Sequence, residues 1–402
     1  LLLFLALGGV AGGAGPTFGA RTAQAGRLTN TITNTYTLAD LGLRQVEQGI
    51  VNDRGLLLGG IGSDLWHQPG GPADEFWMIT DRGPNGQIKV NGANRRTFPV
   101  PDFNPVILQV RVSGSAITIL QTIPILTQSG RPVTGLSNLA GHDETPYDYT
   151  AQVELPFNQN GIDSEGLVRA ADGTFWVVEE YGPSILHIAA DGKVIKRWQP
   201  AGLPLPEADY PVETTLPAIL GLRKGNRGFE GIGISPDGRT IFAIVQSPLA
   251  NPDAATGDPS RLTRIIAFST VSETVTAEYV YQFEPAANFD PAHPAPAEMK
   301  ASSLIALDAD TLLIQERTDW VARLYLAKLS SATNILGTKW DDRATTPSLE
   351  ALTDPAAAGI AVLPKTLRLD LEQLPNMPDK IEGVALVGCT QLAVANDNDF
   401  DI

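Results

Sequence analysis

The chain has 402 residues, 43% hydrophobic and 18% charged, with a formal net charge of −16. That composition supplies a large globular core, and its acidity argues against nucleic acid or an anionic membrane face as a partner. Cys389 is the single cysteine, so an internal disulfide is excluded and packing must hold the fold.

The first stretch, "LLLFLALGGVAGGAG", is too short and glycine-rich to span a bilayer as a stable helix. Ala23-Gln24-Ala25 fits a small-residue cleavage site, so 1–25 reads as a secretory leader and 26–402 as one domain. Removing the leader takes away Arg21, which moves the net charge from −16 to −17. The expected location is periplasmic or secreted, without stable membrane insertion after cleavage.

Five strand pairs follow. "IGSDLW" (61–66) precedes "EFWMITDRGPNG" (75–86), and after an insertion near 125–160 "DSEGLV" (163–168) precedes "GTFWVVEEYGPSI" (173–185). Then come "FEGIGI" (229–234) with "TIFAIVQSPL" (240–249), and "ASSLIAL" (301–307) with "TLLIQERTD" (311–319). After a second insertion near 330–365, "IEGVAL" (381–386) precedes "QLAVANDND" (391–399). Each second member is an apolar run that ends in polar residues, and charge is seldom buried unless paired or metal-bound. The spacing from the first polar position to the strand end is near constant: 15 for Glu165–Glu180, 16 for Glu230–Gln246, 14 for Glu382–Asn396 and Ser302–Glu316, 18 for Ser63–Asp81. Such spacing predicts adjacent antiparallel strands joined by turns such as "AADGT" and "SPDGR".

Further strands after each pair make four per unit. The expected fold is therefore an all-β propeller with five recognisable repeats, five or six blades in all. The last unit lacks outer strands, which "TNTYTLADL" (33–41) from the N-terminal side would supply. Strand ends in a propeller converge on a channel mouth, so one acid per unit becomes a cluster. The glycine after Glu165, Glu230 and Glu382 is the residue a bulge or a close strand approach calls for.

At these residues the chain resembles the phytase-like propeller proteins, the family described as "esterase-like activity of phytase". The matching stretches are "FWMITDRGPNG", "GIDSEGLV…GTFWVVEEYGPSIL", "NRGFEGIGISPDGRTIFAIVQSPL" and "KTLRLDL…KIEGVAL…VANDNDF", spread over about 50–402. The resemblance implies an exported propeller that hydrolyses phosphate esters.

No G-x-S-x-G elbow or P-loop is present. His67, His142, His187 and His293 are too scattered for a histidine zinc site. Oxygen-ligand chemistry remains, which suits a divalent cation such as Ca²⁺. Glu165, Glu180, Glu230 and Glu382 are the expected metal-binding or water-activating groups, and Asp81 and Glu316 would complete an acidic ring. Arg82 and Arg317, with Arg227 and Lys380 nearby, would hold the phosphate of a small substrate. Asp397, Asp399 and Asp401 in "NDNDFD" open like a calcium loop but lack its later Gly and Glu. The other reading is a non-catalytic, calcium-stapled propeller that binds an envelope ligand or a protein partner.

Overall fold

A computed structural model describes residues 2–7, 30–47, 49–388 and 390–401. The Ala23-Gln24-Ala25 stretch and Cys389 lie outside the described residues. Among those described, no helix is long and apolar enough to cross a membrane.

All five predicted pairs form antiparallel hairpins. They are Asp64–Trp66 with Glu75–Ile79, Ser164–Arg169 with Phe175–Glu179, and Phe229–Ile234 with Thr240–Val245. Lys300–Ala306 pairs with Thr311–Arg317, and Ile381–Val387 with Gln391–Asn396. The second strands read as near-continuous apolar runs because both faces are covered: Phe175–Glu179 is buried at every residue. Outer strands complete the sheets, as Leu262–Ser269 and Thr274–Gln282 do in the third.

Each inner strand packs against the inner strand of the next sheet, in the order 64–66, 164–169, 229–234, 300–306, 381–387, and the last returns to 64–66. Apolar cores fill the spaces between sheets. One joins Trp176, Ile185 and Trp198 of the second sheet to Phe229, Ile241 and Phe268 of the third. There Trp176 lies between His187 (4.3 Å between ring centroids) and Trp198 (5.6 Å), and Phe268 meets Trp198 edge-on at 5.1 Å. The fold is all-β and propeller-like.

The C-terminal hairpin does not pair with the 33–41 stretch directly, as the sequence pattern predicts. Leu2–Leu7 lies between them, antiparallel to Gln391–Asn396 on one side and to Asn30–Leu38 on the other. A β-strand edge accepts any extended segment with free backbone groups, so side-chain pattern alone does not select the neighbour. Asn30–Leu38 continues in parallel to Ala116–Pro124 of the first sheet, giving one sheet of eight strands.

The two insertions differ. The first unit carries a hairpin, Gly86–Val90 and Ala93–Phe98, joined in parallel by Pro146–Asp148. The 330–365 stretch is a set of short 3-10 turns around Trp340, Leu349 and Ile360. It is pinned by Arg264, fully buried, against Glu278 at 2.5 Å and Glu350 at 3.0 Å.

Candidate functional site

The inner hairpins are irregular at one point. Ser164 pairs with Glu179 and Gly166 with Val178, which leaves Glu165 unpaired as a β-bulge. Glu230 is skipped in the same way between Phe229 and Gly231, and Glu382 between Ile381 and Gly383. The fourth unit skips Ser302 and Ser303. A bulge re-aims the extra side chain, and in the second, third and fifth hairpins it turns one acid into the same cavity. The next residue is glycine because the neighbouring inner strand passes close by. A Cβ on Gly166 would lie 2.8 Å from the Glu230 carbonyl oxygen, one on Gly231 2.7 Å from that of Ser302, and one on Gly383 2.9 Å from Leu65.

The side chains so gathered line a cavity of about 480 Å³. Seven of the eight sequence-predicted site residues lie on it: Asp81, Arg82, Glu165, Glu180, Glu230, Arg317 and Glu382. Glu316 does not. It is buried on the other face of its strand, accepting from Tyr281 Oη (2.6 Å) and the Glu284 amide (2.9 Å) and paired with Lys365. Side chains alternate along a strand, so an assignment one residue early lands on the wrong face. Backbone pairing identifies the true strand-end set. Asp81, Glu180, Gln246 and Asp397 donate their amides to Gly60, Asp163, Gly228 and Lys380, and Arg317 pairs with Lys300. Asn396, expected from the sequence to occupy this place, is likewise one residue early.

Asp163, Lys300, Asp319, Asp397 and Asp399 also line the cavity. Asp163, Lys300 and Lys380 each stand two residues before Glu165, Ser302 and Glu382, a period-two signal that the sequence carries.

The charges divide into two halves. In one, cations and acids alternate. Lys300 Nζ meets Asp319 at 2.5 Å, and Arg317 reaches Asp319 (3.0 Å), Glu230 (3.5 Å) and Glu382. Lys380 meets Asp399 at 2.5 Å and Asp397 at 3.8 Å. Thus Glu230 and Glu382 converge on Arg317, and they do not join Glu165 and Glu180 in one ring. Asp81, Asp397 and Asp399 bring carboxylate oxygens within 4.8 Å of one another, but the Lys380 ammonium already sits against Asp397 and Asp399. The side chain of Asp401 lies outside the described residues.

The other half is short of cations. Asp163, Glu165 and Glu180 also bring oxygens within 4.8 Å of one another. Arg82 contacts Asp163 at 3.4 Å, but its donors serve the Gly135 carbonyl (3.1 Å) and Asn138 Oδ1 (2.5 Å), and its guanidinium stacks on Tyr181 at 4.0 Å. Glu180 is 1% exposed and its Oε1 has no hydrogen-bond partner; Asp163 Oδ2 and Glu230 Oε2 are also without one. Arg227 lines this cavity too, and among the described residues it makes no ion pair within 4.0 Å.

Burial sets the protonation of these groups. It raises Glu165 and Glu180 well above the usual carboxylate range, and the charge of Glu230 adds to it in both. Burial and then Glu382 push Glu230 up to about 7, with Arg317 opposing. Burial and Glu382 push Asp397 up to about 8. Burial and the charges of Arg317 and Arg227 bring Lys300 down to about 8. Three oxygen-bearing groups with an orphaned buried oxygen on Glu180, and a single cation contact, that of Arg82 with Asp163, fit a hard divalent ion; the Glu230–Glu382 pair, already bridged by Arg317, does not.

Among solved structures, the chain is similar to a PQQ-bound aldose sugar dehydrogenase from Streptomyces coelicolor (12% identity, 87% of this chain and 92% of that one, TM-score 0.33). It is also similar to the Cps50 (Swd1) β-propeller domain of Myceliophteria thermophila (7% identity, 83% of each chain, TM-score 0.31). At those scores neither likeness carries an argument. A curated relative, an uncharacterized secreted protein of Arthroderma benhamiae, is 27% identical over 289 residues, 60% of this chain. The chain spans 55% of that relative's length. The profile of the phytase-like family, "Esterase-like activity of phytase", matches residues 57–400, and the chain belongs to that family.

Proposed function

We propose that the protein is an exported phosphoesterase whose site is the cavity at the mouth of a five-bladed propeller. Export rests on the leader-like start and on the description of the fungal relative as secreted. The observation that carries the catalytic reading is the under-neutralised cluster Asp163, Glu165 and Glu180, with its orphaned Glu180 Oε1, beside the unpaired Arg227. These three acids would hold a divalent cation, Ca²⁺ by their oxygen donors; such an ion, when bound, polarises a phosphoryl oxygen. Arg227 and Lys300 supply positive charge for the phosphate of a small ester. Glu230, near 7, can accept or release a proton at neutral pH, and Arg317 fixes its position.

One observation favours the alternative of a non-catalytic, ion-stapled propeller that binds an envelope ligand or a protein. Arg82 and Arg317, the expected phosphate clamps, spend their donors on protein oxygens. A panel of phosphate mono- and diesters, assayed with and without chelator, separates the two readings. The enzyme reading expects turnover that chelator removes, that Ca²⁺ restores, and that Glu180→Gln lowers at least ~100-fold. Stabilisation by Ca²⁺ with no turnover of any ester would select the alternative.

A further inference from the structure

Five tryptophans are wholly or partly covered: Trp77, Trp176, Trp198 and Trp340 are at most 8% exposed, and Trp66 is half-buried. The sixth, Trp320, is 45% exposed. An exposed indole costs hydration unless something covers it in use, and this one is held in place. It stacks on His293 with ring centroids 3.3 Å apart and planes 13° from parallel. His293 Nδ1 is 3.0 Å from Asp290 Oδ2, which also accepts from Thr318 Oγ1 at 2.8 Å. Thr318 Oγ1 in turn accepts from the Trp320 amide at 3.2 Å, closing the loop of contacts.

The place of this indole matters. Its neighbour Asp319 is the carboxylate that Lys300 and Arg317 share inside the cavity. Asp319 and Lys380 line both that cavity and a cleft of about 20 Å³ whose other walls include Trp320, Met377 and Pro378. The cleft is too small to enclose a group. Its walls set Trp320, Met377 and Pro378 next to Asp319 and Lys380, the two residues it shares with the charged cavity.

We infer that Trp320 is the platform for a planar aromatic ring carried by the substrate, so that the ligand class is an aryl ester of phosphate. The anionic end enters the cavity and the ring lies on the outer face of the indole, whose inner face His293 supports. Flat offset stacking is the geometry an aromatic pair prefers, and pre-ordering by His293 removes the entropy of fixing the indole on binding. A ring without an anion has no partner in the cavity, and an alkyl phosphate leaves the indole uncovered. The inference rests on the phosphoester reading of the cavity, and its test includes a measurement that needs no turnover.

Phenylphosphonate and methylphosphonate, neither of which carries a hydrolysable ester, are titrated against acrylamide quenching of tryptophan emission. Phenylphosphonate is expected to protect the quenchable indole and methylphosphonate to leave it open. Trp320→Phe should remove most of the quenchable emission and keep the preference for the phenyl ligand. Trp320→Ala should lose that preference, with affinity for phenylphosphonate down by about tenfold or more. In turnover, Trp320→Ala should raise KM for phenyl phosphate by a similar factor and leave ethyl phosphate within about twofold, since only the aryl ester uses the stack. Equal affinity for the two phosphonates, or no binding of either, overturns the platform. Selective phenylphosphonate binding without turnover of either ester supports the platform and overturns the phosphoesterase reading instead.

Discussion

Arg317 is 2% exposed, and its guanidinium takes Ser302 Oγ at 2.5 Å as well as three carboxylates. Removing one partner of a buried ion pair leaves an uncompensated charge, which costs about 3–5 kcal/mol. Arg317→Met is expected to lower the unfolding free energy by that amount at pH 8. Near pH 5 the loss should be smaller, because Glu230, raised to about 7 by burial and Glu382, already holds its proton there and leaves less charge uncompensated when the guanidinium is removed. Urea unfolding at the two pH values measures the difference; equal losses would show that Arg317 acts by packing alone. The same residue shows where a sequence reading slips. Acid before glycine marks Glu165, Glu230 and Glu382 correctly, since a bulge and a close approach leave that dipeptide as their trace. "QERTD" carries no such marker, so a search for acids stops at Glu316, one residue short of Arg317. Counted to Arg317 and Asp397, the spacings from Ser302 and Glu382 both become 15, the value for Glu165–Glu180.

At the scale of the hairpin, the bulge and its glycine act together: one turns the acid to the mouth, the other lets the next sheet come close. Gly231→Ala would bring a methyl to 2.7 Å from the Ser302 oxygen and 2.9 Å from Ile244 Cγ2. Both are packed, so the expected cost is about 1–3 kcal/mol. Gly49, where an added methyl would meet nothing within 4 Å, is the control, and Gly49→Ala should stay within about 0.5 kcal/mol. Thermal unfolding of the two variants checks this; similar midpoints would mean the sheets can separate without loss. The hairpins are legible in the sequence because two buried strands with a fixed turn repeat five times. The partner of Asn30–Leu38 is not, because backbone edge pairing leaves little mark on side chains.

Over the whole molecule, folding gathers carboxyls that prefer their protons. Burial raises Asp81, Asp163, Glu165 and Glu180, and it pushes Glu230 and Asp397 up to about 7 and about 8. A native state that binds more protons than the unfolded chain loses stability as pH rises. For Glu230 and Asp397 the stabilisation is complete below the ordinary carboxylate range and is lost through about pH 7 to 8, and the other four add to it in the same direction. With chelator present, the melting temperature should therefore fall from pH 5 to pH 8. Ca²⁺ at pH 8 should recover it, by about 2.7 kcal/mol at a hundredfold excess over Kd. A flat profile without Ca²⁺ would mean that Arg227 and Lys300 already offset the charge. Asp319, drawn down to about 2 where Lys300 and Arg317 outweigh the opposing effect of burial, keeps its contribution until the solution is strongly acid.

The seam between the second and third sheets has an optical consequence. Trp176 and Trp198 lie 5.6 Å apart with planes 25° from parallel, in a core that both sheets share. Two indoles that close and skewed couple their transition dipoles, which splits the absorption band into a pair of circular-dichroism lobes of opposite sign. The signal belongs to the pair, so Trp198→Phe should abolish both lobes while Trp320→Phe leaves them unchanged. Their amplitude reads the opening of this one seam during unfolding, separately from backbone ellipticity, and a seam that parts before the strands melt would lose the lobes first.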